Sequence, residues 1–186
     1  MDSCFQFKNQ SILEHGESVH SYFIDLKKYI TKNIEPCKNW KLPEWINDPF
    51  LWENLVNDSD IKNYHIYHDC GKPFCIKYDQ EGKKHFPDHE SVSYEIWKKI
   101  SNNDNVGNLI RRDMEIHTLK SDQCHDFCKD KKMAVTLLIT GLCELHSNST
   151  MFGGIDSVSF KIKWKQINKR GKKILNIIKE KESEND

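Results

Sequence analysis

Tyr67-His68-Asp69-Cys70-Gly71-Lys72-Pro73 sets an imidazole beside a carboxylate immediately before a glycine and a proline, the residues that stop helices. On a straight helix, adjacent side chains diverge by about 100° and cannot share an ion, whereas a turn at the helix end can bring both round one point. The following lysine, Lys72, can serve as a cation for a phosphate oxygen or stand solvated after the turn. Taken alone, a His-Asp pair reads as a solvated helix terminus. Its company changes that reading: Glu14-His15-Gly16-Glu17 stands upstream, and His85-Phe86-Pro87-Asp88-His89-Glu90 and Ile116-His117-Thr118-Leu119-Lys120-Ser121-Asp122 stand downstream. Imidazole mixed with carboxylate suits Mn, Fe, Co, Ni or Zn better than Ca, and Mg ordinarily prefers oxygen ligands. Such an ion lowers the pKa of bound water from about 15.7 toward 7 and neutralises charge on phosphoryl oxygens.

The elements that must position these residues are mainly helical. In residues 11–31, Ile12, Val19, Tyr22, Phe23, Leu26 and Ile30 recur at three- and four-residue steps, with Ser11 and Glu14 as a capping box. His15 shares a face with Val19, Tyr22 and Leu26 and points inward, whereas His20 lies toward the polar face. Residues 32–47, with two prolines, read as an irregular connection, and residues 49–57 as a short helical segment. A second helix, residues 60–68, carries the His-Asp pair at its end, where Gly71 supplies freedom for the turn. Residues 74–78 and 83–86 flank a turn at 79–82 and form a small hairpin within 74–86. Further helices fall at 88–100 with Asp88 as N-cap, at 106–117, and at 132–148, the most apolar and so the central one. From Val158 to Trp164 the pattern fits a strand, while Phe160, Trp164, Ile167 and Ile174 fit a helical stripe; periodicity leaves both open.

His-Asp-x-Gly-Lys-Pro followed by Phe-x-x-His-Glu, with His15 upstream, resembles the HD superfamily of metal-dependent phosphohydrolases, in particular the HD domains of bacterial tRNA nucleotidyltransferases. The resemblance covers about residues 12–150 and implies an all-α HD-domain helical bundle. It makes His15, His68 and Asp69 ligands of a first metal, Asp69 a bridge to a second where two are bound, and His89 and His117 ligands of that second ion. A terminal acid completes the set, with Asp122 first in order and Asp126 or Glu144 as alternatives. One or two divalent ions among Mn, Fe, Co, Ni, Zn and Mg are implied. So is hydrolysis of a phosphomonoester or phosphodiester in a nucleotide or nucleic-acid terminus: a 2′,3′-cyclic phosphate, a nucleoside monophosphate or a deoxynucleoside triphosphate. Asp69 and Lys72 carry the catalytic roles.

Lys161, Lys163, Lys165, Lys169, Arg170, Lys172 and Lys173 form a basic run with Phe160 and Trp164 interleaved, which can steer a polyanion, with Lys161 as a substrate contact, or be a solvated amphipathic terminus. Residues 1–150 form the core in this reading, with 151–186 as a basic extension packed on it or trailing from it. A catalytically inactive HD-fold module binding nucleotide or RNA is the competing expectation. Lys plus Arg equals Asp plus Glu at 28 each, so global charge makes no case for nucleic acid or membrane. No apolar run approaches the roughly 18 residues needed for a span, and the N-terminus lacks a signal-peptide pattern, which predicts a cytoplasmic protein with no membrane partner. Seven scattered cysteines read as free thiols. Cys124-His125-x-x-Cys128 lacks the second cysteine pair of a structural zinc site.

Overall fold

The computed structural model describes residues 1–7 and 10–183. They are mainly helical: β1 (Phe5–Phe7) and β2 (Gln10–Ser11) lead into α1 (Ile12–Lys32), followed by α2 (Pro49–Glu53) and α3 (Asp58–Tyr67). β3 (Lys77–Tyr78) and β4 (Lys84–His85) form a hairpin before α4 (His89–Ile100), α5 (Asp104–Arg111), α6 (Glu115–Thr118), α7 (Cys124–Phe127), α8 (Lys131–Ser147) and α9 (Val158–Ser183). The chain divides into two compact units, Met1–His20 with Asp58–Met114, and Ser21–Asn57 with the residues from Glu115 on. α1 contributes its first turns to one unit and the rest to the other. Among the described residues no helix is long and apolar enough to cross a membrane.

In the first unit, the expected capping box opens α1: the Ser11 amide donates to Glu14 Oε2 at 2.7 Å and the Glu14 amide to Ser11 Oγ at 3.2 Å. Val19 and His15 are fully buried on the same helix face. Gly16 brings that face against the end of α3; a Cβ there would lie 2.6 Å from the His65 carbonyl oxygen. α3 packs on α5, which packs on α4. Asn103 joins them, its Oδ1 capping α5 at the Val106 amide (3.2 Å) while its Nδ2 donates to Asp60 at 2.7 Å. The hairpin forms as expected, with Lys77 opposite His85 and Tyr78 opposite Lys84. Asp88 stands at the start of α4 but makes no side-chain cap, because it turns the chain through a left-handed conformation (φ 55°).

The expected single helix over 106–117 is two helices. Between α5 and α6, Asp113 is buried and accepts a short hydrogen bond from the Tyr64 hydroxyl of α3, so the chain leaves helical register there. In the second unit, α8 is buried around most of its circumference, as a central helix should be. Asp130 caps it by accepting from the Met133 amide at 3.0 Å. α9 packs along α8 and settles the ambiguity of the 158–164 segment in favour of helix. Strand alternation requires Val158, Phe160 and Ile162 on one face. Instead Phe160 is buried with Ile167, Ile174 and Ile178, while Val158 and Ile162 are 74% and 54% exposed. Trp45 Nε1 donates to Asn168 Oδ1 at 3.0 Å and Trp164 Nε1 to the Lys41 carbonyl at 2.5 Å, so the irregular 32–47 connection is tied to α9 within this unit.

Candidate metal centre

Asp69 is the focus of the first unit's polar interior. Only 1% exposed, it lies in the turn that follows α3. Three imidazoles converge on its carboxylate: His68 Nε2 is 3.4 Å and His15 Nε2 3.7 Å from Oδ2, and His89 Nε2 is 3.4 Å from Oδ1. His15 and His68 are themselves buried, and His89 sits at the edge with 12% of its side chain exposed.

Local backbone fixes how two of these rings present themselves. His68 Nδ1 donates to the His65 carbonyl at 2.9 Å, and His89 Nδ1 donates to the Phe86 carbonyl at 3.0 Å. A carbonyl only accepts, so the proton of each neutral ring is at Nδ1 and the lone pair is at Nε2, on the side of Asp69. Two lone pairs directed at a carboxylate repel unless a cation or proton stands among them. The separations exceed an ordinary hydrogen bond. They match instead the spacing of two donors on one ion: with metal–ligand bonds of about 2.1 Å, tetrahedral donors lie about 3.4 Å apart. Two imidazoles oriented through their second nitrogen, with a carboxylate beside them, form a chemically apt donor set for a transition-metal ion.

Asp69 also has a cationic partner in the chain itself. Lys72 Nζ donates to Asp69 Oδ2 at 2.5 Å and to Gln6 Oε1 at 2.9 Å, and lies over the Phe86 ring. Burial alone would raise the Asp69 pKa; the positive charge of Lys72, and of His68, His15 and His89 whenever they are protonated, outweighs it and holds the carboxyl far below the usual carboxylate range. Lys72 is thus a buried partner of Asp69, 8% exposed, and not the solvated side chain that its position after a turn allows.

Gly71 explains how the turn reaches α4. Its backbone is ordinary right-handed helical (φ −79°), so conformational freedom is not what the glycine provides. Space is: a Cβ at Gly71 would lie 2.4 Å from the Ser93 amide nitrogen and 2.7 Å from the His89 carbonyl oxygen. The Gly71 amide donates to Ser93 Oγ at 2.8 Å, which docks the His-Asp turn on the helix that begins with His89.

The remaining candidates belong to the second unit or to the first unit's exposed hairpin. His117 belongs to the second unit, where its Nε2 is 2.8 Å from Glu144 Oε2. Of the three acids considered for the last ligand, Asp122 is exposed in a turn and Asp126 is exposed and paired with Lys129 at 2.8 Å, while Glu144 is the one drawn to a histidine. Lys161 is on the exposed side of α9, 3.8 Å from Asp156. His85 pairs with Asp79 in the exposed hairpin, and His125 is exposed. His146 is a satisfied interior histidine, with Nδ1 donating to the Leu142 carbonyl at 2.8 Å and Nε2 accepting from the Lys41 amide at 3.0 Å. Gln6, His65 and Ser93 escape sequence reasoning. Only His65 carries a local signal, lying three residues before His68 with its carbonyl in reach of that ring.

No protein-family profile, curated protein or solved structure matches the chain.

Proposed function

We propose that the first unit holds a divalent metal through His15, His68, Asp69 and His89, and that the chain is an HD-type phosphohydrolase acting on a phosphate ester of a nucleotide or nucleic-acid terminus. The observation that carries this reading is the arrangement of His68 and His89, whose Nδ1 protons are taken by carbonyls while their Nε2 atoms face one buried carboxylate at 3.4 Å. An ion bound there supplies positive charge for a phosphoryl oxygen and makes water a stronger acid.

The chain's own residues have separable tasks. Asp69 provides the anionic donor, kept ionised despite its burial by the Lys72 ammonium beside it. Lys72 directs N–H groups to Asp69 and Gln6; a lysine ammonium has three, which leaves one for a phosphoryl oxygen. His65 and Phe86 carbonyls hold two rings in the donor tautomer. His89, at the partly exposed edge, marks the side from which a phosphate ester approaches. The substrate range, from 2′,3′-cyclic phosphates to nucleoside monophosphates and deoxynucleoside triphosphates, rests on the His-Asp-x-Gly-Lys-Pro resemblance.

One observation favours the competing reading, a nucleotide- or RNA-binding module without catalysis: Lys72 already neutralises Asp69 at 2.5 Å. Elemental analysis of the purified chain, followed by a screen of nucleotides and cyclic nucleotides with Mn, Co, Ni, Zn and Mg, separates the two. Bound metal with hydrolysis lost on chelation and restored by the ion is the expected result. A chain that binds none of these ions overturns the metal centre.

A further inference from the structure

The second unit contains a cationic pocket formed where α9 passes the turns after α6. Its cavity of about 190 Å³ is lined by Ser121, Cys124, Gln166, Lys169, Arg170 and Lys173, with Leu119 as the remaining apolar wall. Three formal positive charges face it and no carboxylate lines it. The arrangement is built rather than incidental. Arg170 Nε donates to the Leu119 carbonyl at 3.0 Å, and Lys173 Nζ donates to the Ser121 carbonyl at 2.8 Å and to Ser121 Oγ at 2.6 Å. Backbone carbonyls, not counter-ions, therefore orient the two cations. Arg170 is also partly withdrawn from water, which lowers its pKa through burial while leaving it charged.

We infer that this pocket binds the phosphate group of a small phosphorylated anion. A guanidinium has five N–H donors; with Nε on the Leu119 carbonyl, the two terminal amino groups remain for a pair of oxygens. Lys169 on the rim, the Gln166 amide and the Ser121 hydroxyl add donors in several directions, which suits a tetrahedral dianion better than a planar carboxylate. The cavity is smaller than the roughly 300 Å³ at which pockets begin to enclose drug-sized ligands, so it takes the phosphate and little else. Leu119 and Cys124 give the attached group an apolar wall. All these residues lie in the second unit, so the inference is independent of the metal centre.

The test is calorimetric titration of the full chain, in chelator to exclude metal-mediated binding, with inorganic phosphate, inorganic pyrophosphate, and a short single-stranded RNA with or without a 5′-phosphate. One-to-one binding of pyrophosphate with a dissociation constant below about 1 mM is expected. The double variant Arg170→Met/Lys173→Met should weaken it by at least about tenfold. Because Arg170 and Lys173 also hold the turn, Lys169→Gln and Gln166→Ala, both exposed, serve as fold-neutral variants and should each weaken binding by about threefold. RNA that binds only through its 5′-phosphate, in competition with pyrophosphate, would identify the phosphate source as a nucleic-acid end and support the pocket. RNA binding that ignores the 5′-phosphate and is untouched by pyrophosphate overturns the inference in favour of an extended basic surface. No binding of either anion, or binding unchanged in Lys169→Gln and Gln166→Ala, also overturns it.

Discussion

Replacing Asp69 by Asn keeps the shape of the side chain and removes the charge that Lys72 faces. Lys72 has 11% of its side chain exposed and Asp69 2%, so the pair is a buried one and solvent screening does little for the ammonium left behind. Breaking such a pair from one side costs about 3–5 kcal/mol. For a chain of this length each kcal/mol moves the melting temperature by about 2–4 °C, so a fall of roughly 6–20 °C is expected for metal-free protein. Replacing Lys72 by Met in the same chain removes the stranded charge, and Asp69→Asn/Lys72→Met should recover most of the loss. Lys72→Met alone should cost less than Asp69→Asn, because His15, His68 and His89 stand 3.4–3.7 Å from the carboxylate and can take up a proton to balance it. Urea unfolding of the four proteins in chelator, followed by circular dichroism, completes the cycle. With metal restored, Asp69→Asn should also lower any hydrolytic rate by at least about a thousandfold, roughly 4 kcal/mol. An Asp69→Asn chain as stable as the parent, or a double variant less stable than Asp69→Asn, would refute the buried-pair argument.

Two further perturbations probe the packing. Gly71→Ala should destabilise the chain by about 3 kcal/mol, the cost of forcing a methyl group against the Ser93 and His89 backbone of α4; at an ordinary helical φ without that contact, alanine would stabilise by about 0.4–1 kcal/mol, so the sign measured in urea unfolding decides the point. Burial pushes the His146 pKa down to about 4, against the hydrogen bond that its Nδ1 donates to the Leu142 carbonyl. The unfolded chain takes up that proton near pH 6.5, so stability is full above about 6.5 and falls by up to about 3 kcal/mol as pH drops toward 4. His146→Gln should flatten that slope, and a slope equal to the parent's would show that other groups produce it.

What the sequence made legible was local. The inward face of α1, with His15 among Val19 and Leu26, follows from helical spacing, and the stop after α3 follows from Gly71 and Pro73. What escaped depends on partners far along the chain. The break between α5 and α6 carries no glycine or proline; it falls where buried Asp113 accepts a hydrogen bond from the Tyr64 hydroxyl, 49 residues earlier in the chain. Lys72 looks like a surface lysine until Gln6, 66 residues before it, closes over the ammonium. Glycine's dihedral freedom suggests that Gly71 serves the turn, yet the residue is required by the approach of Ser93, which no local pattern announces.

The two histidines whose rings are held by carbonyls join these levels. Each donates Nδ1 to the carbonyl three residues earlier, His68 at the end of α3 and His89 at the start of α4. That device is short-range, so the tautomer of each ring is encoded next to it in the chain. Tertiary packing, through Gly16 and Gly71, then decides what the two Nε2 atoms share, and it delivers them to the same carboxylate from opposite oxygens. Local sequence thus prepares donors, and the close approaches at two glycines turn separate donors into one set.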